Sequence, residues 1–392
     1  MDGSTPAGTW QPAPPGGAPG PGTYATPVAF RLAGGHLARA AQIAMTFAAA
    51  LRQAGWVRSA TVTGGYLTVS VTADALAALA VRITQAGPAC ARSTALAGTT
   101  VRAPRDPGLT APDWAQARRR LSESISGRLA EAAGARILRA PGSGALDQGA
   151  AAPGNPWQVR GGSQPGWLAP DENAAGAAMG RGGGVGASAA AASPAVPLPG
   201  DLAPDRAERE SSPTRHPRAA SGPVADAVAF AGSGAIGYAL ARIPPGAPAR
   251  ADPCLAAAHH LGNPAYAVRY AHAHAASTLR QAADLGLGLG EAAEFQPRLL
   301  AHPTEQWLLD ELSWLPERVA GAARRARPDV LTRYLERLAD AYFDCQEACP
   351  ATGPGVRTGG PETVARLWLA AAARTALRAG LDLLGVDAPD RL

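Results

Sequence analysis

Lysine is missing altogether: all 36 Lys+Arg residues of this chain are arginine. Any mechanism that requires a lysine is therefore excluded for this chain. Cysteine is scarce, four in 392 residues, too few for a disulfide framework. Cys345 and Cys349 lie four apart, on one side of a predicted helix, but no second ligand pair stands at a metal-site spacing. Free thiols and no metal are expected, and no cofactor. No run of about 18 apolar residues occurs, so no membrane span is expected. The first 22 residues are rich in Pro and Gly and lack both a basic start and an apolar stretch, unlike a signal peptide. A cytoplasmic location is the expectation. Aromatics make up only 5% of the chain, against 46 Gly and 36 Pro. Part of it therefore lacks the apolar surface that folding requires.

What is present is unevenly distributed. Residues 23–140 hold 14 Arg against 5 Asp+Glu, residues 141–224 hold 6 against 7, and residues 225–392 hold 16 against 18. The attraction for a polyanion thus lies in the first third, although the whole chain carries only +5. We divide the chain into a Pro/Gly-rich disordered start (1–22), a small α+β domain (23–105), a basic helix (106–140), a low-complexity linker (141–224) and an all-α helical bundle (225–392).

In the front region, residues 36–54 read as an amphipathic helix with Leu37, Ala41, Ala44, Ala48 and Leu51 as its apolar stripe. "SATVTGGYLTVSVT" alternates about Gly64 and Gly65, a hairpin signal. A second helix follows with Leu76, Leu79 and Ile83 on one face. Residues 112–139 predict a longer helix opened by Pro112 and Asp113, with Trp114, Leu121, Ile125 and Leu129 as its stripe and a charge cluster at Arg118, Arg119 and Arg120. In the rear region Leu308, Leu312, Leu315 and Val319 form one stripe. Leu331, Leu335, Leu338 and Tyr342 form a second, and Leu377, Leu381 and Leu384 a third. Gly232, Gly234 and Gly237 satisfy G-x-G-x-x-G, but neither a preceding strand nor a βαβ unit surrounds them. We read them as small residues that let helices pack closely.

The stretch "NPAYAVRYAHAHAASTLRQA", residues 263–282, divides into two faces at about 100° per residue. Tyr266, Arg269, Tyr270, Ala273, Ser277 and Arg280 share one, and Val268, Ala275, Leu279 and His272 the other. The aromatic and basic face suits stacking on unpaired bases and contact with phosphates. The same tyrosines at helical spacing equally suit a core, with the arginines as its solvated rim.

That stretch, followed by "HPTEQWLLDELSWLPERV", "YLERLADAYFDCQEAC" and "ARLWLAAAARTALRAGLDLLGVDAPDRL", resembles the DALR-type anticodon-binding domain of arginyl-tRNA synthetases. "YATPVAFRLA" with the helix, hairpin and helix behind it resembles the amino-terminal additional domain of that family, which contacts the tRNA elbow. The resemblance implies tRNA as partner; the aromatic and basic face then nominates Tyr266, Arg269, Tyr270 and Arg280 as candidate RNA contacts, and the charge cluster nominates Arg118, Arg119 and Arg120. The nucleotide-binding catalytic domain has no counterpart between these regions: no His-x-Gly-His occurs, and a lysine-free chain has no KMSKS lysine. The family's Ala-His-Ala-Arg reads Ala-His-Ala-His here, ending on His274. Cys345 and Gln346 stand where aromatics are usual, and Leu392 where a Met is common. Three readings follow: a non-catalytic synthetase paralogue that binds tRNA, arginine tRNA among the candidates; a helical module for a protein partner; or one piece of a split arginine–tRNA ligase.

Overall fold

The computed structural model describes residues 20–104, 108–139, 224–353 and 359–392; the expected disordered start up to residue 19 and the expected linker up to residue 223 lie outside them. In the front region β1 (Thr23–Thr26), α1 (Val28–Leu32), α2 (Leu37–Leu51), β2 (Val57–Thr63) and β3 (Tyr66–Val71) follow one another, with α3 (Ala73–Ala77) and α4 (Leu79–Ala86) behind them. The hairpin forms as expected: β2 and β3 pair antiparallel, Thr63 opposite Tyr66. Its turn places Gly64 and Gly65 at φ of 55° and 87°, where a side chain would be strained. The sequence reading missed β1, which pairs with β3 to give the order β1-β3-β2. The stripe of α2 also needs correction. Ala40, Ala44 and Ala48 are buried, while Leu37 is 60% exposed, so the inward face is centred one residue away from the one read.

The basic helix is shorter than expected. After β4 (Thr100–Ala103), α5 covers Trp114–Ala132, started by Asp113, whose side chain accepts the Gln116 amide at 2.8 Å. It stops at Gly134, held at a φ of 94°, and the chain continues as β5 (Arg136–Arg139), parallel to β4.

The described residues of the rear region form helices joined by loops, with no strand among them: α6 (Val224–Ala231), α7 (Ser233–Arg242), α8 (Pro253–Ala257), α9 (Pro264–Asp284), α10 (Pro303–Ser313), α11 (Leu315–Arg325), α12 (Pro328–Ala348) and α13 (Pro361–Leu384). All three apolar stripes are buried. Gly232 turns between α6 and α7 at a φ of 85°, with no strand before it, so no dinucleotide site forms. The reading of close packing needs revision too. A Cβ on Gly234 or Gly237 would meet its nearest neighbour at 3.7 or 4.0 Å, an ordinary contact distance.

The sequence does not announce that front and rear share one core. Leu76, Ile83, Leu121, Ile125 and Leu129 belong to the same buried cluster as Leu308, Leu335 and Leu377. In that cluster α4 and α9 both pack on α13, α3 on α10 and α5 on α11. Polar contacts cross the same boundary. The Gly22 amide donates to Asp310 Oδ1 at 2.8 Å, the Tyr24 hydroxyl to Ser313 Oγ at 2.9 Å, and Arg128 Nε to the Leu383 carbonyl at 2.8 Å. In the front region α1, α2, β2 and β3 keep a separate small core around Ala29, Ala44 and Leu67. No single helix among the described residues is long and apolar enough to cross a membrane.

Candidate nucleic-acid interface

Asn263 sets the start of α9. Its side-chain oxygen accepts the Ala265 amide at 3.1 Å, while its nitrogen donates to the carbonyls of Ala256 and Ala258 at 3.0 and 2.8 Å. One buried amide thus caps the helix and fixes the segment that leads to His259. Four rings then form a column. His259 stacks on Tyr266 with centroids 5.5 Å apart, Tyr266 on Tyr270 at 5.7 Å, and Tyr270 on Phe343 of α12 at 5.7 Å. The interplanar angles of 18°, 8° and 26° keep them near parallel, and offset stacking of this kind is favourable. His274 meets Tyr270 and Phe343 edge-on, and its Nδ1 is 2.9 Å from the Tyr342 hydroxyl.

The structure gives this face an intermediate burial. Tyr266 and Tyr270 are neither core nor bare: each is half-buried, with a ring on both sides. The exposed end of the column is His259. Sequence reasoning missed it, because a histidine in the short segment between two helices carries no periodic signal.

Side chains of α9 beside the rings hold the end of the chain. Arg269 Nε donates to the Asp387 carbonyl at 3.3 Å, His272 Nδ1 to that of Pro389 at 3.0 Å, and Arg280 to that of Asp390 at 3.0 Å. Arg374 on α13 pairs with the Asp390 carboxylate at 2.8 Å. Arg269 and Arg280, read as phosphate contacts, are therefore engaged by their own chain. So is Arg118, whose guanidinium bonds three carbonyls, those of Ile243, Pro244 and Ala247. Arg119 is exposed and Arg120 half-buried. The structure thus does not gather the seven nominated residues into one patch.

The part of the chain that runs from this helix to the last residue has known relatives. Residues 268–392 match the DALR anticodon binding domain. Over its carboxy-terminal part the chain is 38% identical to the arginine–tRNA ligase of Paenarthrobacter aurescens across 167 residues, and 40% identical to that of Micrococcus luteus across 172. Each match takes in 43% of this chain and 30% of the relative, so the chain spans under a third of the length of these relatives. The arginyl-tRNA synthetase of Thermus thermophilus shares 26% identity over 44% of this chain and 28% of that one, with a TM-score of 0.34.

The DALR region contains a titratable latch. His272 is fully buried; since Pro389 offers only a carbonyl, Nδ1 carries the proton and Nε2 is bare, without a partner and 3.9 Å from Asp390 Oδ1. Burial lowers its pKa from the ordinary 6.5, with Arg374 and Arg378 acting in the same direction and the Pro389 bond and Asp390 opposing. The fold therefore favours the neutral ring. Its contribution to stability is complete above the unfolded value near 6.5 and is lost as pH falls through the depressed folded value. His272→Asn keeps a donor for the Pro389 carbonyl and removes the titration. Between pH 7 and 5 the melting temperature of the parent should fall more than that of the variant; equal slopes would show that His272 is not the group responsible.

The thiol pair at the end of α12 is inert as a nucleophile. Cys345 and Cys349 are free and buried, and burial pushes Cys345 up to about 12, far from the range of a reactive thiolate.

Proposed function

We propose that this chain binds a tRNA, with arginine tRNA the first candidate, and does not charge it. The observation that carries the reading is the DALR match over α9–α13 together with a ring column on α9 that ends on an exposed face at His259. An unpaired base adds to such a face at about 1–3 kcal/mol. The basic first third supports long-range attraction, and Arg102, Arg119 and Arg136 are exposed there. Non-catalysis is supported by the sequence: aminoacyl activation needs placed cations around ATP phosphates, and neither His-x-Gly-His nor any lysine is present.

The test is a set of tRNA titrations at several salt concentrations. His259→Ala is expected to weaken binding by about 1–3 kcal/mol without changing the salt slope, because stacking releases no counterions. Arginine-dependent ATP–pyrophosphate exchange should stay at the blank. Exchange above it, or tRNA affinity indifferent to His259, would sink the respective half of the reading. The second reading, a protein partner, is favoured by the near-neutral rear region and by exposed Leu255 and Leu261, at 67% and 57%. Absence of any RNA binding would bring it forward.

A further inference from the structure

A cleft of about 360 Å³ opens between α7, α8, the first turn of α9 and α12, reached through His260, the residue after the end of the ring column. That volume lies at the lower end of small-ligand pockets, about 300–1,000 Å³, enough for one nucleotide unit rather than a length of strand. Its charges are unequal in availability. Arg242 is held by Glu336, with Nε and Nη2 at 2.7 and 3.1 Å from the two carboxylate oxygens. Asp252 accepts the amides of Cys254 and Leu255 as the cap of α8. Arg250 and Asp252 complete the charged lining, and Asp252 keeps its charge while it caps α8. Arg333 is exposed on α12 and has no acidic partner among the described residues, and His260 is exposed beside it in the lining.

Two backbone acceptors of the cleft wall are already occupied. The Ile243 and Pro244 carbonyls at the end of α7 would repel an anion, but both are taken by Arg118 from behind. The amino-terminal end of the 21-residue helix α9 adds its positive partial charge at Asn263 and Pro264. The cleft lining thus sets three guanidinium groups, of Arg242, Arg250 and Arg333, against the single carboxylate of Asp252, with two occupied carbonyls and a positive helix end, and its His260 follows the ring of His259 in the chain.

We propose that this cleft holds the ribose phosphate of one unpaired nucleotide whose base continues the column on His259, with Arg333 and His260 as the phosphate contacts. The inference rests on the RNA reading above and adds to it where, and in what form, the strand is held.

The test uses the full chain and bulk tRNA carrying 4-thiouridine, with photocrosslinked peptides mapped by mass spectrometry and affinity measured in parallel. The double variant Arg333→Ala, His260→Ala leaves the core intact because both side chains are exposed. It should lose about tenfold in affinity and its crosslink to the 255–264 segment, whereas Arg333→Lys should retain most of both. Arg39→Ala on α2, an equal loss of charge elsewhere, should keep the crosslink. If the parent binds tRNA but crosslinks outside 255–264 and the double variant binds within twofold of it, the cleft assignment fails and the tRNA reading stands. If the parent binds no tRNA at all, both fail together.

Discussion

Residues 1–140 and 219–392, produced as two separate polypeptides, should assemble into one complex, and 219–392 alone should aggregate. The contact between the two regions is core rather than surface. Leu76, Ile83, Leu121, Ile125 and Leu129 of the front share a buried cluster with the rear helices. Burying each large apolar side chain contributes about 1.5–3 kcal/mol. Even after the cost of association, a dissociation constant below about 1 μM, or about 8 kcal/mol, is expected. The helix α13 shows why the rear alone fails. It packs on α9 by one side and on α4 by another, so removing the front exposes a row of Ala and Leu to water. Co-expression followed by size-exclusion chromatography reads the result. Two soluble monomers, each unfolding cooperatively and ignoring the other, would show that the shared core contributes little.

The same shared core marks the limit of what the sequence could reveal. Each long helix of the rear was legible because Leu at steps of three and four has one explanation, a buried stripe. The Gly64-Gly65 hairpin was legible for the same local reason. By contrast β1, β4 and β5 are four residues each, too short for alternation to register, and β4 pairs with a strand beyond an intervening helix. For the candidate site, α9 and its aromatic face could be read from Tyr266 and Tyr270. The rest of the column could not, since His259 and Phe343 come from other segments. Arg269, Arg280 and Arg118 were misjudged for one shared reason. Their partners are backbone carbonyls, and every residue type has one, so nothing in the sequence distinguishes a guanidinium waiting for phosphate from one already engaged.

That distinction yields the sharpest mutational contrast within one run of charge. Arg118→Ala should lower stability by about 2–4 kcal/mol, whereas Arg119→Ala, one residue on, should change it by less than about 0.5 kcal/mol. The Arg118 guanidinium lies 2.7 Å from the Pro244 carbonyl, 3.0 Å from that of Ile243 and 3.1 Å from that of Ala247. Hydrogen bonds from a charged donor contribute about 1.5–3 kcal/mol each, and their loss leaves acceptors without a partner. The three share one side chain that water partly reaches, so the sum is well below three times the single value. Arg119 points to solvent and leaves nothing unpaired when removed. In binding, the order reverses in kind. Arg119→Ala should lessen the slope of log K against log salt by about one phosphate contact, or 0.7–0.9. Arg118→Ala should instead reduce affinity through the cleft, because the Ile243 and Pro244 carbonyls are returned to its wall beside Arg333. Urea unfolding at unchanged m-value, paired with salt-dependent titration, separates the two effects. If both variants unfold like the parent and both lessen the salt slope equally, Arg118 reaches phosphate directly and its hold on the α7 end is not what keeps that loop in place.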